Sequence, residues 1–482
     1  MKGQKRPRTV LFLIADTGAG HRSAANAIHA AMKDLDQRQA LRTTSGSRHQ
    51  TPVRVVIVDA FAECGHFPLR NGVFLYGPAI KYSPRLYGQI FRITNSSERF
   101  DTARRLAQPF LRQGLRRLLE RVRPDVIVSV HPLLNHVTLQ VLRDVRVHVP
   151  FITVVTDLVS IHCAWMAQGV DTCIVPTEEA RAVALEARIP AKRIQLFGMP
   201  IDPKFARPPH LTRAELRQSL GLDPEKPVVL LVGGGEGAGG LASAVETLAS
   251  ASLPAQLAVI TGRNLQLRTE LEARTKQFAT PTHVFGFVHN MPEFMHAADV
   301  IVTKAGPGTI TEALACDLPI VLTGAVPGQE EGNVSWVLEH GVGKAAFTPE
   351  ELLRVVRELL DENNPELARL RENARTVSHA RSSYAIASRI LSYVPPATAP
   401  SVWGRHTARA HGARRPAVLL RPHVPVPRLS TMPLTALRRR SGTRGHRAGG
   451  RVPVSIGGTR VLGLANLGRV RALLRGDHGK SI

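Results

Sequence analysis

Between Lys304 and Asn333 the chain reads KAGPGTITEALACDLPIVLTGAVPGQEEGN, a lysine, a glycine turn and a cluster of carboxylates and amides set around two short apolar runs. Gly306, Gly308 and Thr309 follow a β-branched run and open a helix. The unpaired N–H groups and partial positive charge of a helix start suit an anion such as a pyrophosphate. Each such interaction contributes about 0.3–1 kcal/mol when exposed, so several donors must converge. Lys304, just before the turn, adds a full positive charge. Glu312, one helical turn in, can accept from two neighbouring hydroxyls. Gln329, Glu330, Glu331 and Asn333 follow the next apolar run and return to the same rim. Carboxylates and amides bind hydroxyl-rich molecules with direction. The stretch therefore reads as one pocket for a sugar carried on a nucleotide: phosphate turn, ribose acid, hexose cluster.

Two further glycine turns stand elsewhere. In LIADTGAGHRSAANAIHAAM (13–32) a strand ends at Asp16, glycines permit a tight turn, and an alanine-rich helix follows. His21 falls at this turn. A solitary histidine is more often structural, but the carboxyl end of a strand is where cleft chemistry sits in α/β folds. A neutral imidazole there is a candidate general base. Ser23 occupies the third position of a GxGxxG pattern, so the dinucleotide fingerprint is weak. In LLVGGGEGAGGLASAVETL (230–248) a glycine loop presents backbone N–H groups to anions. Gly235 and Glu236 are its candidate donor-binding residues. The GK[ST] ending of a phosphate-binding NTPase loop is missing.

These turns need a scaffold, and short β-branched runs alternating with helical stretches over residues 8–380 predict a parallel α/β sheet. Strands are expected at 9–16, 53–61, 125–132, 151–158, 172–177 and 194–198. After the proline-rich GMPIDPKFARPPH (198–210) they resume at 227–235, 255–263, 282–288, 299–306 and 318–324. Helices at 350–362 and 365–394 close the body. The organisation is two Rossmann-like lobes facing a cleft, residues 1–204 and 205–395, followed by a basic segment, 396–482.

The net charge of +25 is unevenly spread: residues 401–482 hold 17 Lys/Arg against one acidic residue, and no aromatic follows Trp403. With so little to bury, 396–482 is expected to be disordered. The body is only mildly basic, which argues against a specific nucleic-acid partner. Four scattered cysteines without a CxxC pair argue against a disulfide framework or a zinc site and for a reducing compartment. No apolar run reaches membrane-spanning length, and the apolar start is cut short by Asp16. Residues 61–100, however, carry eight of the chain's aromatics interleaved with Arg70, Lys81, Arg85 and Arg92. Phe74, Tyr76, Tyr82, Arg85 and Tyr87 thus form a candidate patch for an anionic membrane surface, which Trp165 extends. An ordinary core helix pair would carry the same residues.

GFVHNMPEFMHAADVIVTKAGPGTITEALACDLPIVLTGAVPGQEEGNV closely resembles the donor lobe of monogalactosyldiacylglycerol synthases and the related bacterial processive diacylglycerol glucosyltransferases. VVLLVGGGEGAG, ADTGAGHRSAANAI and TDLVSIHCAWM (156–166) resemble the same family's other signatures, in consistent order over about residues 8–390. Cys163 and Ala164 stand where the family often has Pro and Thr. The resemblance implies a GT-B fold with an N-terminal acceptor lobe and a C-terminal UDP-sugar lobe. It implies inverting hexosyl transfer from a UDP-sugar to diacylglycerol, without a metal or other cofactor, by a peripheral protein on the cytoplasmic face of the cell membrane. Carried across, His21 is the catalytic base and Glu312 the ribose ligand. Gln329 and Glu330 hold the hexose. Gly306, Gly308 and Thr309 line the diphosphate, and Val288 lies near the uracil. Two other readings share this scaffold: N-acetylglucosamine transfer to a lipid-linked precursor, and a UDP-sugar 2-epimerase.

Overall fold

The computed structural model describes residues 7–16, 20–42, 53–66, 83–233, 240–396 and 398–403. They form two six-stranded sheets in which every adjacent pair is parallel. The first holds β1 (Thr9–Ile14), β2 (Arg54–Asp59), β3 (Val126–Ser129), β4 (Phe151–Val154), β5 (Thr172–Val175) and β6 (Ile194–Leu196), in spatial order β2-β1-β3-β4-β5-β6. The second holds β7 (Val228–Val232), β8 (Gln256–Ile260), β9 (Thr282–Phe285), β10 (Val300–Lys304), β11 (Ile320–Gly324) and β12 (Gly343–Ala345), in order β12-β11-β10-β7-β8-β9.

Parallel strands covered by helices on both faces are apolar throughout rather than alternating. Accordingly every residue of TVLFLI and of VVLLV is buried. In β1 the pleat sends Leu11 and Leu13 into one core with Phe151, Leu115 and Trp165. Val10, Phe12 and Ile14 enter another, against the helix Gly20–Arg42. The second lobe is layered likewise on the two faces of its own sheet.

The strand orders matter for function. The chain leaves β1 to one side for β2 and returns to the other side for β3. In the second sheet it leaves β7 for β8 and β9, then returns for β10. Loops at such a reversal splay apart and open a crevice at the carboxyl ends of the strands. His21 follows β1 and the KAGPGT turn follows β10, so both stand at crevice-forming positions.

Three expectations are corrected. The three-residue β12, GKA, lacks the β-branched run that marks a strand and exists because β11 offers it an edge. The helix expected over 365–394 is two helices, Glu366–Val377 and Ser382–Ser392, with Ser378 extended between them. No glycine or proline signals this break. Its cause is tertiary: Ser382 and Ser383 donate to the carbonyls of Met199 and Ile201, each at 2.6 Å. Gly198, at φ +87°, has no room for a Cβ, which would lie 2.3 Å from His379. The last helix thereby crosses to the first lobe. Ile386, Ala387 and Ile390 pack with Val10, Phe12 and Ile28, and the Tyr384 hydroxyl donates to Asp34 at 2.5 Å. Residues 382–392 therefore belong with the first core, not with the second lobe to 395. Trp403 likewise joins the first core, its indole N–H donating to the Pro124 carbonyl at 2.9 Å, so the segment from 396 does have something to bury. Residues 404–482 lie outside the described residues.

Candidate active site

Asp59 caps the helix Ala60–Cys64 through the N–H groups of Phe61 and Ala62, and its other oxygen accepts from the Asp16 N–H at 3.1 Å. Asp16 in turn holds Arg22 through two bonds of 2.7 and 2.6 Å. These contacts fix the end of β1 to the first turn of the next helix, and His21 sits between them. Its Nδ1 lies 3.2 Å from the Thr156 hydroxyl, at the end of β4. Its ring meets His131 edge-on at 4.8 Å and Trp165 at 6.4 Å. A neutral imidazole carries one N–H and leaves its other nitrogen to accept. Burial pushes the His21 pKa down to about 4, with the Val130 backbone and Asp16 pulling the other way. The ring is therefore neutral throughout the physiological range. His131, at the end of β3, is buried and held well below the ordinary histidine range by desolvation and by His21; its Nδ1 has no partner among the described residues.

On the facing lobe, Gly306 caps the helix Pro307–Ala315, whose first N–H groups point out of the turn, and a Cβ at Gly308 would meet nothing within 4 Å. Lys304 is partly exposed, and its Nζ pairs with Glu330 Oε1 at 2.5 Å. The second Glu330 oxygen accepts from the Val326 N–H at 3.0 Å. Lys304 and Glu330 thus hold the turn and the 327–333 loop together, because a carboxylate this deeply buried requires a partner. Asn333 is fully buried and donates to the Ala305 carbonyl at 2.9 Å, bracing the turn from behind. Glu312 is half-buried, and among the described residues no donor reaches it. Burial and nearby Asp202 raise its pKa to about 7. Thr309 stands half-buried in the turn, and Val288 packs at the edge of the second core. Gly235 and Glu236 lie outside the described residues.

Gln329 is the meeting point of the lobes. The Tyr87 hydroxyl donates to Gln329 Oε1 at 2.8 Å, and Gln329 Nε2 donates to Asp157 Oδ1 at 3.3 Å. Asp157 Oδ2 accepts from the Trp165 indole at 2.7 Å. Burial raises the Asp157 pKa, the Trp165 and Gln329 donors oppose that, and Glu330 adds to it. Trp165 is 1% exposed and sits in the first core, so it is not part of a membrane-facing patch. Its role is to hold Asp157, whose chain neighbour Thr156 meets His21. Beside this, Arg92 pairs with Glu331 at 2.7 Å and the Gly332 N–H reaches the Ser160 hydroxyl at 3.2 Å. His21 and the Gly306–Gln329 rim are therefore linked by one continuous set of contacts.

The remaining patch residues divide. Arg85 is exposed and Tyr87 half-buried on the helix Pro84–Thr94, whereas Phe74, Tyr76 and Tyr82 lie outside the described residues. Phe61 and Phe100 are core residues. On the helix, Leu86, Ile90 and Ile93 are 55%, 51% and 53% exposed, one stripe at i, i+4 and i+7, while Tyr87, Gly88 and Phe91 face the 327–333 loop. Among the described residues no helix is long and apolar enough to cross a membrane. Asp157 and Thr156 were not singled out from sequence. The signal was present: a TD pair directly after a buried strand, at the same crevice address as His21.

Comparison with known proteins agrees with this geometry. The family model for monogalactosyldiacylglycerol (MGDG) synthase matches residues 21–201, and that for the glycosyltransferase family 28 C-terminal domain matches 228–383. Monogalactosyldiacylglycerol synthase 3 of Arabidopsis thaliana is 35% identical over 393 residues, covering 80% of this chain and 81% of that protein. Among solved structures, MurG of Acinetobacter baumannii aligns with 80% of this chain and all of its own, at a TM-score of 0.50 and 14% identity. The UDP-GlcNAc 2-epimerase of Neisseria meningitidis aligns at the same score and 12% identity, again over 80% of this chain and all of its own. The two-lobed architecture is thus shared with an epimerase and does not by itself choose a reaction. The sequence relatives do, and with the match over both lobes the chain belongs to the monogalactosyldiacylglycerol synthase family.

Proposed function

We propose that the protein transfers galactose from UDP-galactose to the free hydroxyl of diacylglycerol, with inversion at the anomeric carbon. The observation that carries this reading is the placement of a neutral, desolvated His21 on one wall and an open helix N-terminus with Glu312 on the other, joined through Asp157 and Gln329. The acceptor O–H gives its proton to the unprotonated His21 nitrogen as its oxygen bonds to the anomeric carbon. The bond from that carbon to the UDP oxygen breaks on the opposite face. A conjugate acid with a pKa of about 4 makes His21 a weak base, so the proton moves late, once bonding to the sugar has acidified the hydroxyl. Charge growing on UDP meets the N–H groups of Gly308 and Thr309 at the helix start. No metal has a part in this scheme. Lys304 acts through Glu330, keeping the loop in register with the turn. Purified protein given diacylglycerol vesicles and either UDP-galactose or UDP-glucose should yield a β-galactolipid by mass and anomer analysis. Predominant glucolipid would change the sugar; absence of any lipid product with either donor would end the proposal.

The acceptor lives in a bilayer, and we assign the stripe Leu86, Ile90 and Ile93, with Arg85 beside it, to the membrane surface. Apolar side chains in the acyl boundary with a cation at headgroup level bind an anionic leaflet peripherally. Changing all three to Ser should weaken sedimentation with anionic vesicles by about tenfold or more. Activity on a micelle-dispersed short-chain diacylglycerol should persist. Unchanged vesicle binding would remove this face from the assignment.

A further inference from the structure

We propose that Asp157 and Tyr87, both on the acceptor lobe, are positioning residues that set which end of the Gln329 amide meets the donor hexose, and so govern discrimination between sugars that differ at a single hydroxyl. This rests on the reading that Gln329 contacts the hexose. An ionised carboxylate accepts only, so the amide nitrogen must face Asp157, as it does at 3.3 Å. The phenol then donates to the amide oxygen at 2.8 Å. Turning the amide over would set its oxygen against the Asp157 carboxylate, acceptor facing acceptor, so Asp157 fixes the orientation and the Tyr87 hydroxyl, which can donate or accept, holds the other end in place. A primary amide offers a donor at one end and an acceptor at the other, and an axial or equatorial hydroxyl of the bound sugar meets one or the other.

Both partners are themselves held. Asp157 is clamped by the indole of Trp165 at 2.7 Å, inside the first core. Tyr87 is fixed by the fit of its helix on the loop. A Cβ at Gly88 would lie 2.6 Å from Pro327 Cβ, and one at Gly332 would lie 2.6 Å from the Ser160 hydroxyl. Gly328, at φ +79°, turns the chain directly beneath Phe91. The loop carrying Gln329 is thus seated against the acceptor lobe at three glycines, with the amide inserted between two residues of that lobe. Sugar choice is then decided partly by the lobe that does not bind the nucleotide.

The test compares kcat/KM for UDP-galactose and UDP-glucose in the whole protein carrying Tyr87→Phe, Asp157→Asn or Gln329→Ala. Tyr87→Phe removes one hydroxyl. Asp157→Asn presents an amide that can donate as well as accept, which permits the Gln329 amide to invert. Each should move the ratio of the two donors toward unity by roughly tenfold, the worth of one hydrogen bond, while UDP affinity by calorimetry stays unchanged. Gln329→Ala should move the ratio at least as far. If Gln329→Ala shifts selectivity and the other two do not, the positioning role is wrong although the hexose contact stands. If Gln329→Ala leaves the ratio unchanged, the hexose contact itself is wrong. Equal losses on both donors in Tyr87→Phe and Asp157→Asn, with unaltered melting temperatures, also overturn the proposal, because a merely structural role depresses both sugars alike.

Discussion

His21→Ala should lower kcat by about 10²–10⁴, the range that general-base catalysis contributes, and leave UDP affinity unaltered. The separation follows from geometry. His21 stands in the first turn of the helix after β1 and touches Thr156, His131, Trp165 and the Val130 backbone, all of the first lobe, whereas the turn and Glu312 stand on the second. Loss of the imidazole leaves the donor surface intact. The pH profile carries a second signature. Because burial holds the His21 pKa at about 4, its protonation removes activity only as pH falls toward that value, not near the ordinary histidine range. A wild-type profile whose acidic limb sits near 6.5 and vanishes in a His21 variant would show that the ring is solvated during turnover. Turnover within a factor of a few of wild type in His21→Ala would remove it as the base.

Glu312 should make UDP binding depend on pH in a way that Glu312→Gln abolishes. In the free protein burial and Asp202 raise its pKa to about 7. Ribose hydroxyls donating to the carboxylate favour the ionised form and pull the value down on binding. Binding therefore releases a proton, and affinity falls as pH drops below the free-protein value, by up to about tenfold per unit until the bound-state pKa is reached. Above pH 7 the dependence flattens. Calorimetry in buffers of different ionisation enthalpy reads the proton directly. With Glu312→Gln the slope should disappear, and affinity above pH 7 should drop by about 1.5–3 kcal/mol, the worth of hydrogen bonds to a charged acceptor. A pH-independent wild-type affinity would place Glu312 away from the nucleotide.

The two lobes, the turn after β10 and the address of His21 were legible because each is local. A buried parallel strand is a short apolar run. A turn that opens a helix is a glycine cluster at its end, and the alternation of the two is visible within a window of some twenty residues. Eleven of the twelve strands lie in such runs. The exception, β12, is three residues long and owes its existence to the edge of β11 rather than to its own side chains. The family motifs were legible for the same reason, since KAGPGT and PGQEEGN are contiguous.

Partnerships between distant residues were decided by the tertiary structure. Nothing in the composition of PGQEEGN says that Glu330 is taken up by Lys304, or that Gln329 lies between Asp157 and Tyr87, residues 172 and 242 positions away in the chain. Trp165 shows the same limit: an indole next to a methionine fits a membrane interface or a core equally well, and only the strands around it make it core. Residue type and spacing settle which groups are available at the crevice, because backbone conformation is a short-range matter. Which of them stay open to a substrate, and which are engaged in holding the others, depends on the approach of two separately built lobes and on the burial that approach creates.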